Sequence, residues 1–257
     1  MSFRLERDDL LAVVTLSNPP LNLFDDEVFA TLTAAIDELE ADTPRGVLFR
    51  AEGKVVSGGV DVSVFDRIAS AGEAQGLWLR LVETTQRVEA LACPTVFAAH
   101  ALCLTAAFEL ALGCDLLVAA ESARFGLVER VVGLTPAMGG TQRLAERAGP
   151  ARAREFVYTG ELYDARTLEA WNVVNRVLPD DGFDVAAREF ARGIAKGPTV
   201  AHAATKRIVR AQLDGGVAEA DRVTPEVAGA LFDTEDLRGA VKSFLTDGPG
   251  KATFTGR

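Results

Sequence analysis

The sequence predicts an α/β core followed by a C-terminal helical region. Two observations carry this reading. Short apolar runs at Gly46–Ala51, Thr95–Ala99 and 115–120 alternate with segments of helical periodicity, the pattern of parallel strands joined by helices. After about residue 180 the strand signals stop. The segments 183–195, 199–214, 217–231 and 234–246 then read as helices, punctuated by Gly197-Pro198 and Gly215-Gly216.

Taken in order, Leu11–Leu16 is a β-rich run that ends at the turn Asn18-Pro19-Pro20. A helix starts near Asp25 or Asp26, where acidic side chains favour the N-terminal end. Its apolar residues Val28, Leu32, Ile36 and Leu39 are spaced 4, 4 and 3 apart, which is one helical face. The strand Gly46–Ala51 leads into a loop containing Ser57, Gly58, Gly59 and Asp61. Leu77, Leu81, Val88 and Leu91 mark the next helix, which Pro94 stops. Residues 105–112 read as a helix between the strands Thr95–Ala99 and 115–120.

The 257 residues suit one large domain, and a hydrophobic share of 48% supports a substantial core. A net charge of −10 with scattered basic residues argues against a nucleic-acid partner. Cys93, Cys103 and Cys114 show neither metal-ligand spacing nor a disulfide framework, so they read as buried thiols of a reducing compartment. Arg4 and Glu6 stand where a signal peptide needs an apolar run. No stretch approaches the roughly 18 apolar residues of a membrane span. A cytoplasmic protein with no membrane partner is expected.

Several chemistries drop out. His100 and His202 lack ligand-like spacing, so no metal is expected. No Gly-x-Ser-x-Gly elbow occurs. Gly248-Pro249-Gly250-Lys251 lacks the first glycine and the hydroxyl residue of a phosphate loop, and Ser57-Gly58-Gly59 is no full dinucleotide fingerprint. What remains is backbone and carboxylate. The glycines of Gly58-Gly59-Val60-Asp61 permit a turn that aims an N–H into a cleft. Thr105-Ala106-Ala107-Phe108-Glu109 reads as a first helical turn, with Thr105 as N-cap and Glu109 on the side of Ala106. Spacing alone leaves a plain turn and a solvated glutamate open as alternatives.

A series of motifs narrows this. Lys54-Val-Val-Ser-Gly-Gly-Val-Asp61, Phe108-Glu-Leu-Ala-Leu-Gly-Cys-Asp115 and Phe125-Gly-Leu-Val-Glu129 follow one another in the order seen in the crotonase, or enoyl-CoA hydratase/isomerase, family. Gly133 through Pro136, Gly139-Gly-Thr-Gln-Arg-Leu144, Tyr158-Thr-Gly-Glu161 and Phe254-Thr-Gly-Arg257 continue the likeness over nearly the whole chain. The resemblance implies a crotonase-like ββα spiral over residues 1–195. It also implies a C-terminal helical trimerisation region over 196–257, and a homotrimer or dimer of trimers.

The resemblance makes the backbone N–H groups of Val60 and Ala106 an oxyanion hole, with Glu109 and Glu129 as the catalytic pair. It places CoA contacts at Leu21, Gly58, Asp61 and Val62, with Lys242 or Lys251 near phosphates. Residues 64–91 and 134–138 would line the acyl pocket. The implied activity is reversible hydration of a 2-enoyl-CoA to a 3-hydroxyacyl-CoA, with coenzyme A as part of the substrate and no separate cofactor. Double-bond isomerisation is the nearest alternative, and a non-catalytic acyl-CoA binder is one of another class. The chain departs from the family pattern at Thr105-Ala106-Ala107, where glycines are common. It departs also at Ala101, at Val128 in place of proline, and at Arg130 after the second glutamate.

Overall fold

The computed structural model describes residues 2–8 and 10–257. Strand β1 (Phe3–Arg7) pairs antiparallel with β2 (Leu11–Leu16), whose six residues are all buried, as a near-continuous apolar run requires. Helix α1 (Asp26–Ala41) begins where the Asp25 carboxylate accepts the Val28 N–H at 2.8 Å. It buries Val28, Leu32, Ile36 and Leu39, the face that the spacing predicts. Strand β3 (Gly46–Ala51) then runs parallel to β2.

After β3 come the short helix α2 (Ser63–Asp66) and the longer α3 (Ala71–Ala90), capped by Ser70. Strand β4 (Thr95–Ala99) leads to β5 (Cys103–Leu104) and helix α4 (Ala106–Gly113). Strand β6 (Leu116–Ala120) is followed by β7 (Arg124–Gly126) and a 3-10 turn, Glu129–Val132. Helices α5 (Gly140–Ala148) and α6 (Pro150–Thr159), strand β8 (Tyr163–Asp164), helix α7 (Ala165–Ala170) and strand β9 (Arg176–Leu178) complete the core.

The large sheet has the order β1-β2-β3-β4-β6-β9, parallel from β2 onward, and the small sheet has the order β5-β7-β8. The chain leaves the large sheet after β3, β4 and β6. Each time it next sends a segment to the small layer: Ser57 bridges to Cys103, then β5 and β7 pair with each other. This recurrence is the ββα spiral that the resemblance implies. Phe108 on α4 packs on Phe125 of β7 and Phe156 of α6 with ring centroids 5.2 and 5.6 Å apart, which anchors the helix carrying Glu109. Truncating such a buried ring typically costs about 3–5 kcal/mol.

Helix α8 (Phe183–Ala195) covers β3 and β4, and α9 (Thr199–Gly229) and α10 (Glu235–Asp247) follow, as the sequence predicts for this region. The predicted break at Gly215-Gly216 is present: Gly216 has φ 75° and ψ −174° within an otherwise helical run. The end of the predicted segment 217–231 tightens into a 3-10 turn at Ala230–Asp233.

Candidate active site

Two loops run side by side at the centre of the molecule. The N–H groups of Val56 and Ser57 donate to the Leu102 carbonyl at 2.9 and 3.1 Å, and the Leu104 N–H donates to the Ser57 carbonyl at 3.2 Å. Asn22, buried and at φ 51°, holds the first loop by donating its amide to the carbonyls of Glu52, Val55 and Val56. The Ser57 hydroxyl donates to the Asn22 carbonyl at 2.7 Å and accepts the Gly59 N–H at 3.0 Å. Sequence reasoning did not single out Asn22. Its available signal is a polar residue two positions after the Pro19-Pro20 turn.

The N–H groups of Gly58 and Asp61 donate to the carbonyls of Leu21 and Phe24 at 2.8 and 3.0 Å. Between them, the Val60 N–H meets no acceptor among the described residues. Ala106 opens α4, so its N–H is one of the helix-start donors without an intrahelical acceptor. Thr105 stands at the N-cap as predicted, but its hydroxyl caps nothing: at φ 47° and ψ −119° it is buried without a partner. Its side chain packs on Gly59 instead. A Cβ at Gly59 would lie 2.9 Å from Thr105 Oγ1, and the φ of 111° there already favours glycine. The residue before each open N–H therefore touches the other.

Glu109, one turn into α4, is 3% exposed. Its Oε2 accepts the N–H groups of Met138 and Gly140 at 2.8 and 2.7 Å. Burial pushes its pKa up to about 7, opposed by the N–H groups of Gly140, Met138 and Ala137 and by the charge of Arg143. Glu129 begins the 3-10 turn after β7 and is half-buried, and its Oε2 has no hydrogen-bond partner. Burial, and then the negative charge of Glu109, push it up to about 8. The structure thus brings the two predicted carboxylates into one electrostatic unit with unequal surroundings. Backbone donors favour ionised Glu109, whereas Glu129 has only its own N–H to oppose burial.

The remaining predicted residues are less uniform. Arg130 turns away from the pair and donates to the Thr159 carbonyl, its stem lying 2.7 Å from where a Gly160 Cβ would stand. Leu21 and Val62 are exposed, and the Asp61 carboxylate accepts the Ser63 N–H at 2.9 Å. The N–H groups of Gly58 and Asp61 are both committed to the fold. Lys242 and Lys251 are exposed, on and just after α10. All three cysteines are free and buried, and burial pushes the Cys93 thiol up to about 12. Among the described residues no helix is long and apolar enough to cross a membrane.

Comparison with known proteins bears on the family and the fold. The family model described as Enoyl-CoA hydratase/isomerase matches residues 6–256. A protein of Mycobacterium bovis named "Probable enoyl-CoA hydratase" is 30% identical over 243 residues, spanning 94% of this chain and 93% of its own. The short-chain-enoyl-CoA hydratase of Clostridium acetobutylicum is 28% identical over 244 residues, with 94% and 93% covered. A solved enoyl-CoA hydratase of Geobacillus kaustophilus superposes with a TM-score of 0.93 at 26% identity, covering 100% of this chain and 97% of that one. An enoyl-CoA hydratase/carnitine racemase of Magnetospirillum magneticum gives 0.89 at 28% identity, with 100% and 96% covered. Ordered motifs, spiral fold and matches over nearly the full length lead to one conclusion: the chain belongs to the enoyl-CoA hydratase/isomerase, or crotonase, family.

Proposed function

We propose that the protein is an enoyl-CoA hydratase that adds water reversibly, in syn fashion, to a 2-enoyl-CoA. The observation that carries this reading is the unequal pair beside two open N–H groups. Hydration needs one group that takes a proton from water and another that gives one to carbon, and two carboxylates held in different protonation states supply both. Backbone donors favour the ionised form of Glu109, whereas burial and the Glu109 charge favour the protonated form of Glu129.

Ionised Glu109 removes a proton from water as the oxygen bonds to C3. The displaced electron pair moves through C2 onto the thioester oxygen, giving an enolate. The N–H groups of Val60 and Ala106 stabilise that oxygen, each such donor being worth about 3–4 kcal/mol in comparable sites. The Glu129 carboxylic acid then protonates C2, and proton exchange with solvent restores the starting state. Leu21 and Val62, exposed beside this turn, contact the pantetheine arm. Exposed apolar side chains at Val209, Leu213 and Val217 of α9 and Val241, Phe244 and Leu245 of α10 support assembly as a homotrimer or dimer of trimers.

The test is incubation of the purified protein with crotonyl-CoA and longer 2-enoyl-CoAs while enoyl absorbance is followed. Loss of absorbance with formation of the 3-hydroxyacyl product is expected. Binding without turnover at any chain length contradicts the reading and favours a non-catalytic binder.

A further inference from the structure

Arg143, in the first turn of α5, is 6% exposed. Its Nη2 donates to the Glu89 carboxylate of α3 at 2.6 Å, and its Nη1 donates to the Gly139 carbonyl at 3.1 Å. That carbonyl and the Gly140 N–H belong to one planar trans peptide and point in opposite directions. The N–H end donates to Glu109 Oε2 at 2.7 Å. A single peptide group therefore stands between a buried cation and the buried carboxylate. Charge at its oxygen end orients the group and polarises it toward Glu109.

Both glycines keep this line clear. A Cβ at Gly139 would lie 2.2 Å from Arg143 Nη1, and one at Gly140 would lie 2.5 Å from Glu109 Cγ. A cation in the first turn of a helix opposes the helix dipole, so its place there asks for a reason beyond helix stability. The Glu89 carboxylate supplies part of the balance and also accepts from Arg210 Nη1 of α9 at 3.2 Å. The charged groups set around Glu109 are Arg143 on α5 and Glu129 on the 3-10 turn, with Glu89 of α3 behind Arg143.

We infer that Arg143 is a positioning residue for Glu109, acting through the Gly139–Gly140 peptide to hold the base in place and ionised, with Glu89 setting how much of its charge Glu109 feels. The catalytic meaning of this role rests on the hydratase reading. The structural role does not.

The test titrates the Glu109 carboxyl by 13C NMR in the intact, substrate-free protein, with Glu109→Gln assigning the signal. Arg143→Met removes the cation, so the titration should move up by about one unit, and turnover at pH 7 should fall about fivefold with KM within about twofold. Arg143→Lys should return most of both. Glu89→Gln leaves Arg143 unopposed and should move the titration down. A residue that merely supports the fold would shift both variants the same way or neither, and either result overturns the inference. If Arg143→Met does not fold, the sign of the Glu89→Gln shift decides alone. Should the wild type hydrate no enoyl-CoA, the hydratase reading fails while the titrations still decide the role of Arg143.

Discussion

Gly140 gives its N–H to the Glu109 carboxylate at 2.7 Å and leaves no room for a side chain, since a Cβ there would stand 2.5 Å from Glu109 Cγ. The start of α5 and the carboxylate of α4 are thereby fitted to each other across the site.

Gly140→Ala should therefore displace Glu109. Overpacking of this kind costs about 1–3 kcal/mol. A urea melt should show that loss, and hydration of crotonyl-CoA should fall by more than the loss of folded protein explains.

The two carboxylates predict the pH dependence of turnover. The proposed mechanism needs Glu109 ionised and Glu129 protonated, and their pKa values are pushed up to about 7 and about 8. The kcat/KM profile should be a narrow bell with its maximum between those values, its limbs belonging to the pair. A plateau extending well into the acid range would show that Glu109 is not the base.

Stability carries the same signature. Glu129 is raised to about 8 by burial and by Glu109, so the folded state holds its proton more tightly than the unfolded chain does. Stability from this group is full below the ordinary glutamate range. It is lost as pH rises through about 8. Glu129→Gln removes that loss, so its melting temperature should exceed that of the wild type most clearly above pH 8. Thermal melts across pH 5–9 read this directly.

Thr105→Gly should stabilise the protein. Thr105 holds φ 47° with a buried, unpartnered hydroxyl, and strain of this kind costs about 1–3 kcal/mol. The extra chain entropy of glycine returns about 0.5–1 kcal/mol, leaving a net gain of about 1 kcal/mol in a denaturant melt.

Much of this architecture is legible in the sequence where apolar runs are continuous. Gly46–Ala51, Thr95–Ala99 and the helix over 183–195 have the bounds that the sequence predicts. Strands β5, β7 and β8 escape notice because two or three residues carry no period, and β1 because its charged residues break the apolar run. The paired glutamates are found through ordered family motifs, since local spacing leaves a solvated helical glutamate open. The donors that hold Glu109 are invisible locally. Met138 and Gly140 are 29 and 31 residues away and contribute only backbone N–H groups.

The most direct test of the central claim compares crotonyl-CoA hydration by the wild type, Glu109→Gln and Glu129→Gln under one set of conditions. The account predicts turnover by the wild type and a loss of about 10²–10⁴-fold in each variant, the range for removing a general acid or base. Glu109→Gln retaining most of the hydration would contradict it, because Glu109 could not then be the group that activates water.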